Sequence, residues 1–154
     1  MESYEEAHGV RPALGAHTSV LRIAFVAATD EEARQATQTA VVDFFKFICM
    51  VRGVGVFLDA DEDPKDPRWQ DLDGDDAYDF LMERGHLFIG SPETVTRQML
   101  AMTESHQVHN WLLQMGVPGM SSIEAIDHSM RLFAEKVMPA VREAGAKLPA
   151  SDIH

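Results

Sequence analysis

Three groups of residues have types and spacings that suggest chemistry. The first is an alternating acidic run, Asp59, Asp61 and Asp63, the pattern that opens a calcium-binding loop. Pro64 stands in the sixth place, where such a loop turns on glycine, and Gln70 in the twelfth, where it needs a bidentate glutamate. The run is therefore read as solvated charge. The second is His106 with His109, three residues apart at a predicted helix end. They lack a third ligand and the carboxylate pattern of a zinc site, and His128 falls among the polar positions of the last helix. No metal is expected. The third is Cys49, the single cysteine, inside the apolar run Phe44 to Val51. That setting suits a small buried side chain better than a nucleophile. A lone cysteine allows no internal disulfide and fits a reducing compartment. No phosphate-binding glycine motif and no Ser/His/Asp arrangement is present.

These residues hang on a repeated pattern of elements. Leu21 to Ala27 is a compact apolar run that reads as a strand buried on both faces. Thr29, with Glu32 three residues on, forms a capping box, and Asp30, Glu31 and Glu32 suit the positive end of a helix dipole. Ala33, Ala36, Ala40, Phe44 and Ile48 continue at helical spacing to about residue 51. Leu87 to Ile89 and Asn110 to Met115 read as two further buried strands. Ser91-Pro92-Glu93 is a strong helix start, with Val95, Met99 and Met102 on the buried side. Ser121 with Glu124 predicts another cap, and Ile123, Ile126, Met130, Phe133 and Val137 recur at spacings of 3, 4, 3 and 4. Pro139 is expected to kink or end that helix. Strands alternating with helices imply an α/β fold with parallel strands.

Between the first helix and the second strand the order breaks. Residues 57–77 are acidic and carry Pro64 and Pro67, which makes a poor strand and a poor helix. A loop this long in a compact domain is functional or disordered. It holds Arg68 and Trp69, and its tryptophan suits closing over a ligand to exclude water or docking onto the body of the protein. A short helix from Asp76 to Arg84 follows, with Tyr78, Phe80 and Leu81 as its apolar members.

The formal net charge of −12, from 25 acidic against 13 basic residues, argues against nucleic acid and anionic membrane as partners. No apolar run approaches the roughly 20 residues that span a bilayer, and the acidic start is unlike a signal peptide. The expectation is a cytoplasmic protein, with residues 145–154 a frayed tail.

Gly90-Ser91-Pro92-Glu93-Thr94-Val95 resembles a motif found late in bacterial-luciferase-like flavin-dependent monooxygenases. Ser129-Met130-Arg131-Leu132-Phe133 closing on Val137-Met138-Pro139 is similar to that family's final helix, and Ile23 to Ala33 to its sixth strand and following turn. The resemblance implies the C-terminal part of a (β/α)8 TIM-type barrel. Ala24 to Ala27 would be strand six, Leu87 to Ile89 strand seven and Trp111 to Met115 strand eight, the whole of 1–154 being one partial barrel domain. Residues 57–77 would be the lid loop, carrying Arg68 and Trp69.

The implied activity is oxygenation of a small organic substrate by reduced FMN and dioxygen. Strands one to five, which carry most of the flavin contacts in that family, have no counterpart. Barrel enzymes place their sites at the C-terminal ends of strands. That selects Ala27 and Ala28, whose small side chains let a flat ring approach, and Gln114, a donor to a flavin carbonyl or a substrate. Ser91 reads chiefly as a helix cap. The implied partners are an N-terminal barrel half or, for a non-catalytic truncated relative, a second copy in a homo-oligomer.

Overall fold

A computed structural model describes residues 9, 19–58, 63, 65–72, 76–120 and 122–148. Strand β1, Ser19–Val26, leads through Thr29 into helix α1, Asp30–Arg52. The Glu32 N–H donates to Thr29 Oγ1 at 3.1 Å, as the spacing predicts. Gly53, at φ 76°, stops the helix, and its N–H donates to Cys49 O at 2.8 Å. A 3₁₀ turn, Val54–Val56, follows. Within the acidic stretch, Asp66 caps a one-turn helix α2, Pro67–Gln70, so the segment is not wholly irregular. Asp59 and Asp61 lie outside the described residues. Helix α3, Ala77–Glu83, precedes strand β2, Leu87–Gly90. Helix α4, Pro92–His106, capped by Ser91, precedes strand β3, Asn110–Gln114.

All pairing in the sheet is parallel, and the order is β2-β1-β3. Three consecutive barrel strands would lie in chain order, so the central place of β1 departs from the barrel expectation. The consequence is seen on the faces, because side chains alternate across a strand. Ile23, Phe25, Leu87 and Ile89 pack on Ala33, Ala40, Val41 and Phe45 of α1, and on Trp69, Tyr78, Phe80 and Leu81. Ala24, Val26 and Phe88 pack on Val95 and Met99 of α4 and on Val137 and Val141. Helices therefore cover both faces of a three-stranded sheet. Arg34 of α1 pairs with Asp79 of α3 at 2.6 Å and lies over the Tyr78 ring at 4.8 Å, fastening those two helices on their outer side.

The burial of the strands is narrower than their composition predicts. In β1 only Ile23 to Val26 are buried on both sides, and Leu21 is exposed. In β3 Leu112 is exposed, because the pairing sets it beside Leu21 rather than beneath a helix.

The chain ends in helix α5, Ile123–Leu132, a π-helical turn at Phe133–Val137, and helix α6, Met138–Gly145. The cap of α5 is Ser122, whose Oγ accepts from the Ala125 N–H at 3.0 Å; Ser121 lies outside the described residues. Pro139 does not end the helix, which runs on to Gly145. It has no N–H to give to a carbonyl four residues back, and the preceding π turn, with the Met138 N–H bonded to Phe133 O, absorbs that missing link. The extra residue in that turn also rotates the apolar stripe. Val137 and Val141 reach the core, while Ile123 and Met130, predicted on the same buried face, are exposed.

The residue that anchors α5 is polar. Ser129 is fully buried, and its Oγ accepts from the Val26 N–H at 2.7 Å, satisfying a main-chain donor at the end of the central strand. Helix α6 ends at Gly145, and residues 149–154 of the expected frayed tail lie outside the described residues. No described helix is long and apolar enough to cross a membrane.

Candidate functional site

The C-terminal ends of β1 and β2 meet at one place. The Ala27 N–H donates to Gly90 O at 3.1 Å. Thr29 and Ser91 then cap α1 and α4 side by side. Asp30, the first residue of α1, reaches across. Its Oδ1 accepts from the Ser91 N–H at 2.6 Å, and its Oδ2 accepts from Thr94 Oγ1 at 3.0 Å. One carboxylate thus sits on the positive N-terminal ends of two helices. The Ser91 main-chain hydrogen bond is the chief cause that holds the Asp30 carboxyl below the usual carboxylate range; hydrogen bonds from the Ser91 and Thr94 side chains add to it, and partial desolvation opposes it.

Gly90 makes this approach possible. At φ 153° it lies where L side chains rarely go, and a Cβ there would stand 2.7 Å from Asp30 Oδ1. The Asp30–Gly90–Ser91 contact joins residues about sixty apart in the chain, and nothing in the local spacing announces it.

Because a depressed pKa contributes stability only while the carboxylate is charged, the sign is fixed. Asp30 stabilises the fold at neutral pH. That contribution disappears as pH falls through the carboxylate range and below it. Asp30→Asn is expected to cost about 0.5–2 kcal/mol at pH 7, the scale of a helix cap, near the lower end because the group is exposed and screened. Urea midpoints at pH 7 and pH 3 test this. The wild-type advantage over the variant should shrink at pH 3, and an advantage that is equal at both would count against the charge.

The other residues selected by sequence are placed apart. Ala28 is exposed and borders a wide surface cavity of about 1010 Å³ beside α4, with Ser91, Pro92, Arg97 and Lys136. Gln114 borders a different cavity, of about 560 Å³, between α1 and the start of β1. Its Nε2 donates to Gly116 O at 3.1 Å. The register explains the separation. Gln114 is level with Ile23, four residues before Ala27, or about 13 Å along the strand at roughly 3.3 Å per residue. Ala27 itself is half-buried against the α1 side of the core.

In the acidic stretch, Arg68 is exposed, paired with Asp66 at 2.7 Å, and lies over the Phe80 ring at 4.7 Å. Trp69 is buried. It stacks on Phe57 at 6.0 Å and meets the edges of Phe80 and His86. The ring faces the core and borders neither of the two cavities above.

Cys49 is half-buried, and burial pushes its thiol above the usual range, which disfavours the thiolate. His106 Nδ1 lies 2.7 Å from Ser105 Oγ, His128 is exposed, and no group of three potential metal ligands gathers among the described residues.

Solved structures share this fold. Over 90% of this chain, it is similar to the monooxygenase RslO1 from Streptomyces bottropensis, at 19% identity and a TM-score of 0.60, covering 35% of that chain. It is also similar to the oxygenating constituent of 3,6-diketocamphane monooxygenase from the CAM plasmid of Pseudomonas putida, a type II Baeyer-Villiger monooxygenase solved with FMN. There the identity is 24% and the TM-score 0.54, over 90% of this chain and 38% of that one. At these identities the likeness is one of fold, and the chain spans little more than a third of either protein's length. No family model and no curated protein matches the chain.

Proposed function

We propose that this chain corresponds to the C-terminal portion of a luciferase-like, FMN-dependent monooxygenase barrel, although β1 lies between β2 and β3 rather than at one edge, and that it takes part in oxygenating a small organic substrate only with residues it does not itself contain. The observation that carries this reading is the fold likeness, over nine-tenths of the chain, to two monooxygenases, one of them solved with FMN. The motifs at Gly90 to Val95 and Ser129 to Pro139 agree with it.

FMN needs a cradle for its phosphate and a flat cleft for its ring. The described residues do not fit it. The N-terminus of α4, the natural anion seat at the strand ends, is already taken by the Asp30 carboxylate. Ala28 and Gln114 border separate cavities. In this reading, phosphate binding and the ring's main contacts come from a companion half that carries the missing strands.

A second reading has its own observation. Helices on both sheet faces give the chain a core of its own, as suits a non-catalytic relative that folds alone. Titration with FMN, followed by flavin fluorescence, separates the two. Neither reading expects saturable micromolar binding by the chain alone, and such binding would overturn both. Saturable binding once an N-terminal half from a monooxygenase of this fold is supplied supports the enzymatic reading. Its absence leaves the non-catalytic one.

A further inference from the structure

In a barrel of consecutive strands, β1 and β3 would flank β2. Here β2 and β3 both pair with β1. The chain therefore steps from β1 to β2 in one direction along the sheet and from β2 to β3 in the other. Parallel crossovers are right-handed, so this reversal sends α1 and α4 to opposite faces. Val95 and Met99 of α4 and Val141 of α6 cover Ala24, Val26 and Phe88. With α1 on the outside, that face would look into a barrel.

The edge of β1 is closed in two parts. β3 pairs with Ser19 to Ile23 and stops at Gln114. Above it, the Val26 N–H points to the same edge, because successive N–H groups of a strand alternate and that of Ala27 turns to Gly90 O of β2. No strand meets the Val26 N–H among the described residues. The buried Ser129 Oγ of α5 accepts from it instead, at 2.7 Å. The β3 part of this closure is the less buried side of the sheet. Parallel strands are ordinarily covered on both faces, and β2 is buried throughout. In β3, Trp111 and Leu113 pack toward Phe88, while Leu112 and its register partner Leu21 are 59% and 53% exposed.

We infer that β3, with Ser129 of α5, is an autoinhibitory closure of the β1 edge. It holds the place where the last strand of a companion half would pair, and assembly proceeds by exchange of β3 for that strand. The inference rests on the reading that a companion half supplies the missing strands. It adds that the chain by itself is shut against that half, and that the junction which opens is β1–β3 rather than β1–β2.

A disulfide tests it. Register partners on adjacent strands stand about 4.8 Å apart at Cα, within disulfide reach, so Leu21→Cys with Leu112→Cys, made in a Cys49→Ala background, pins β3 to β1 when oxidised. FMN fluorescence is followed with an N-terminal half from a monooxygenase of this fold. The reduced chain should give saturable binding, and oxidation should weaken it about tenfold or more. Equal binding in both states overturns the inference and leaves the monooxygenase reading standing. No binding in either state overturns that reading, and the inference with it. Native-state hydrogen exchange of the wild type needs no companion. The Val26 N–H should be protected about tenfold less than that of Phe25, which faces β2, because it opens with the closure and not with the core. Equal protection of the two overturns the inference. If the disulfide does not form, Ser129→Ala decides: freeing the Val26 N–H should speed assembly with the half, and an unchanged rate tells against the closure.

Discussion

Trp69→Ala is expected to lower the unfolding free energy by about 3–5 kcal/mol, the range for deleting a large buried aromatic. Domains of this kind have only about 5–15 kcal/mol in total, so the change takes a large share. The ring is 3% exposed and is the hub of an aromatic group. It stacks on Phe57 with an interplanar angle of 8°, takes the edge of Phe80 at 4.9 Å, and lies 5.7 Å from His86. Phe57 in turn packs on Phe45 of α1 at 4.8 Å. One side chain thus ties the acidic stretch to the helix layer.

Two measurements check this. Urea unfolding gives the loss of stability, and Trp69→Phe should recover a good part of it because the ring contacts survive. Limited proteolysis should show new cleavage within residues 57–77 of the alanine variant under native conditions. An alanine variant as stable and as protease-resistant as the wild type would mean that the tryptophan is not a clamp.

Gly90→Ala should be nearly as costly, for a different reason. The added Cβ would lie 2.7 Å from Asp30 Oδ1 and 2.8 Å from Thr94 Cγ2, at φ 153°. Overpacking costs about 1–3 kcal/mol and a backbone held in a sparsely populated region a similar amount. The Asp30 side chain is the more mobile obstacle, so relief comes by pushing it off the Ser91 N–H. That makes the two positions non-additive. Asp30→Asn should cost less in the Gly90→Ala background than in the wild type, and the acid-induced loss of stability should flatten. Strict additivity in a double-mutant cycle would refute the shared contact.

Much of the frame was legible in the chain. Thr29, Asp30 and Glu32 announce the start of α1, and Ser91-Pro92-Glu93 that of α4, because capping is settled within four residues. The apolar runs at 21–27, 87–89 and 110–115 mark the three strands of the described residues to within two residues. Local rules misled where neighbouring signals compete. Ser121 and Ser122 both suit a cap, and the side chain that reaches the Ala125 N–H is Ser122. The even spacing from Ile123 to Val137 promised one buried stripe, and a π turn broke it to accommodate Pro139.

The candidate site was less legible. Gln114 is the last residue of β3, and Ala27 and Ala28 follow the end of β1, yet strand register decides which ends are level. By itself, then, the sequence determined the three strands, the main helices, the caps of α1 and α4 and the parallel sense of the strands. Those follow from periodicity of 3.6 or 2 and from hydrogen bonds closed within a few residues. Only the tertiary structure decided that β1 lies between β2 and β3. It alone set Asp30 on the end of a helix some sixty residues away and turned Trp69 inward. Each of these depends on which surfaces of distant segments meet, a free energy shared between segments that no local pattern encodes.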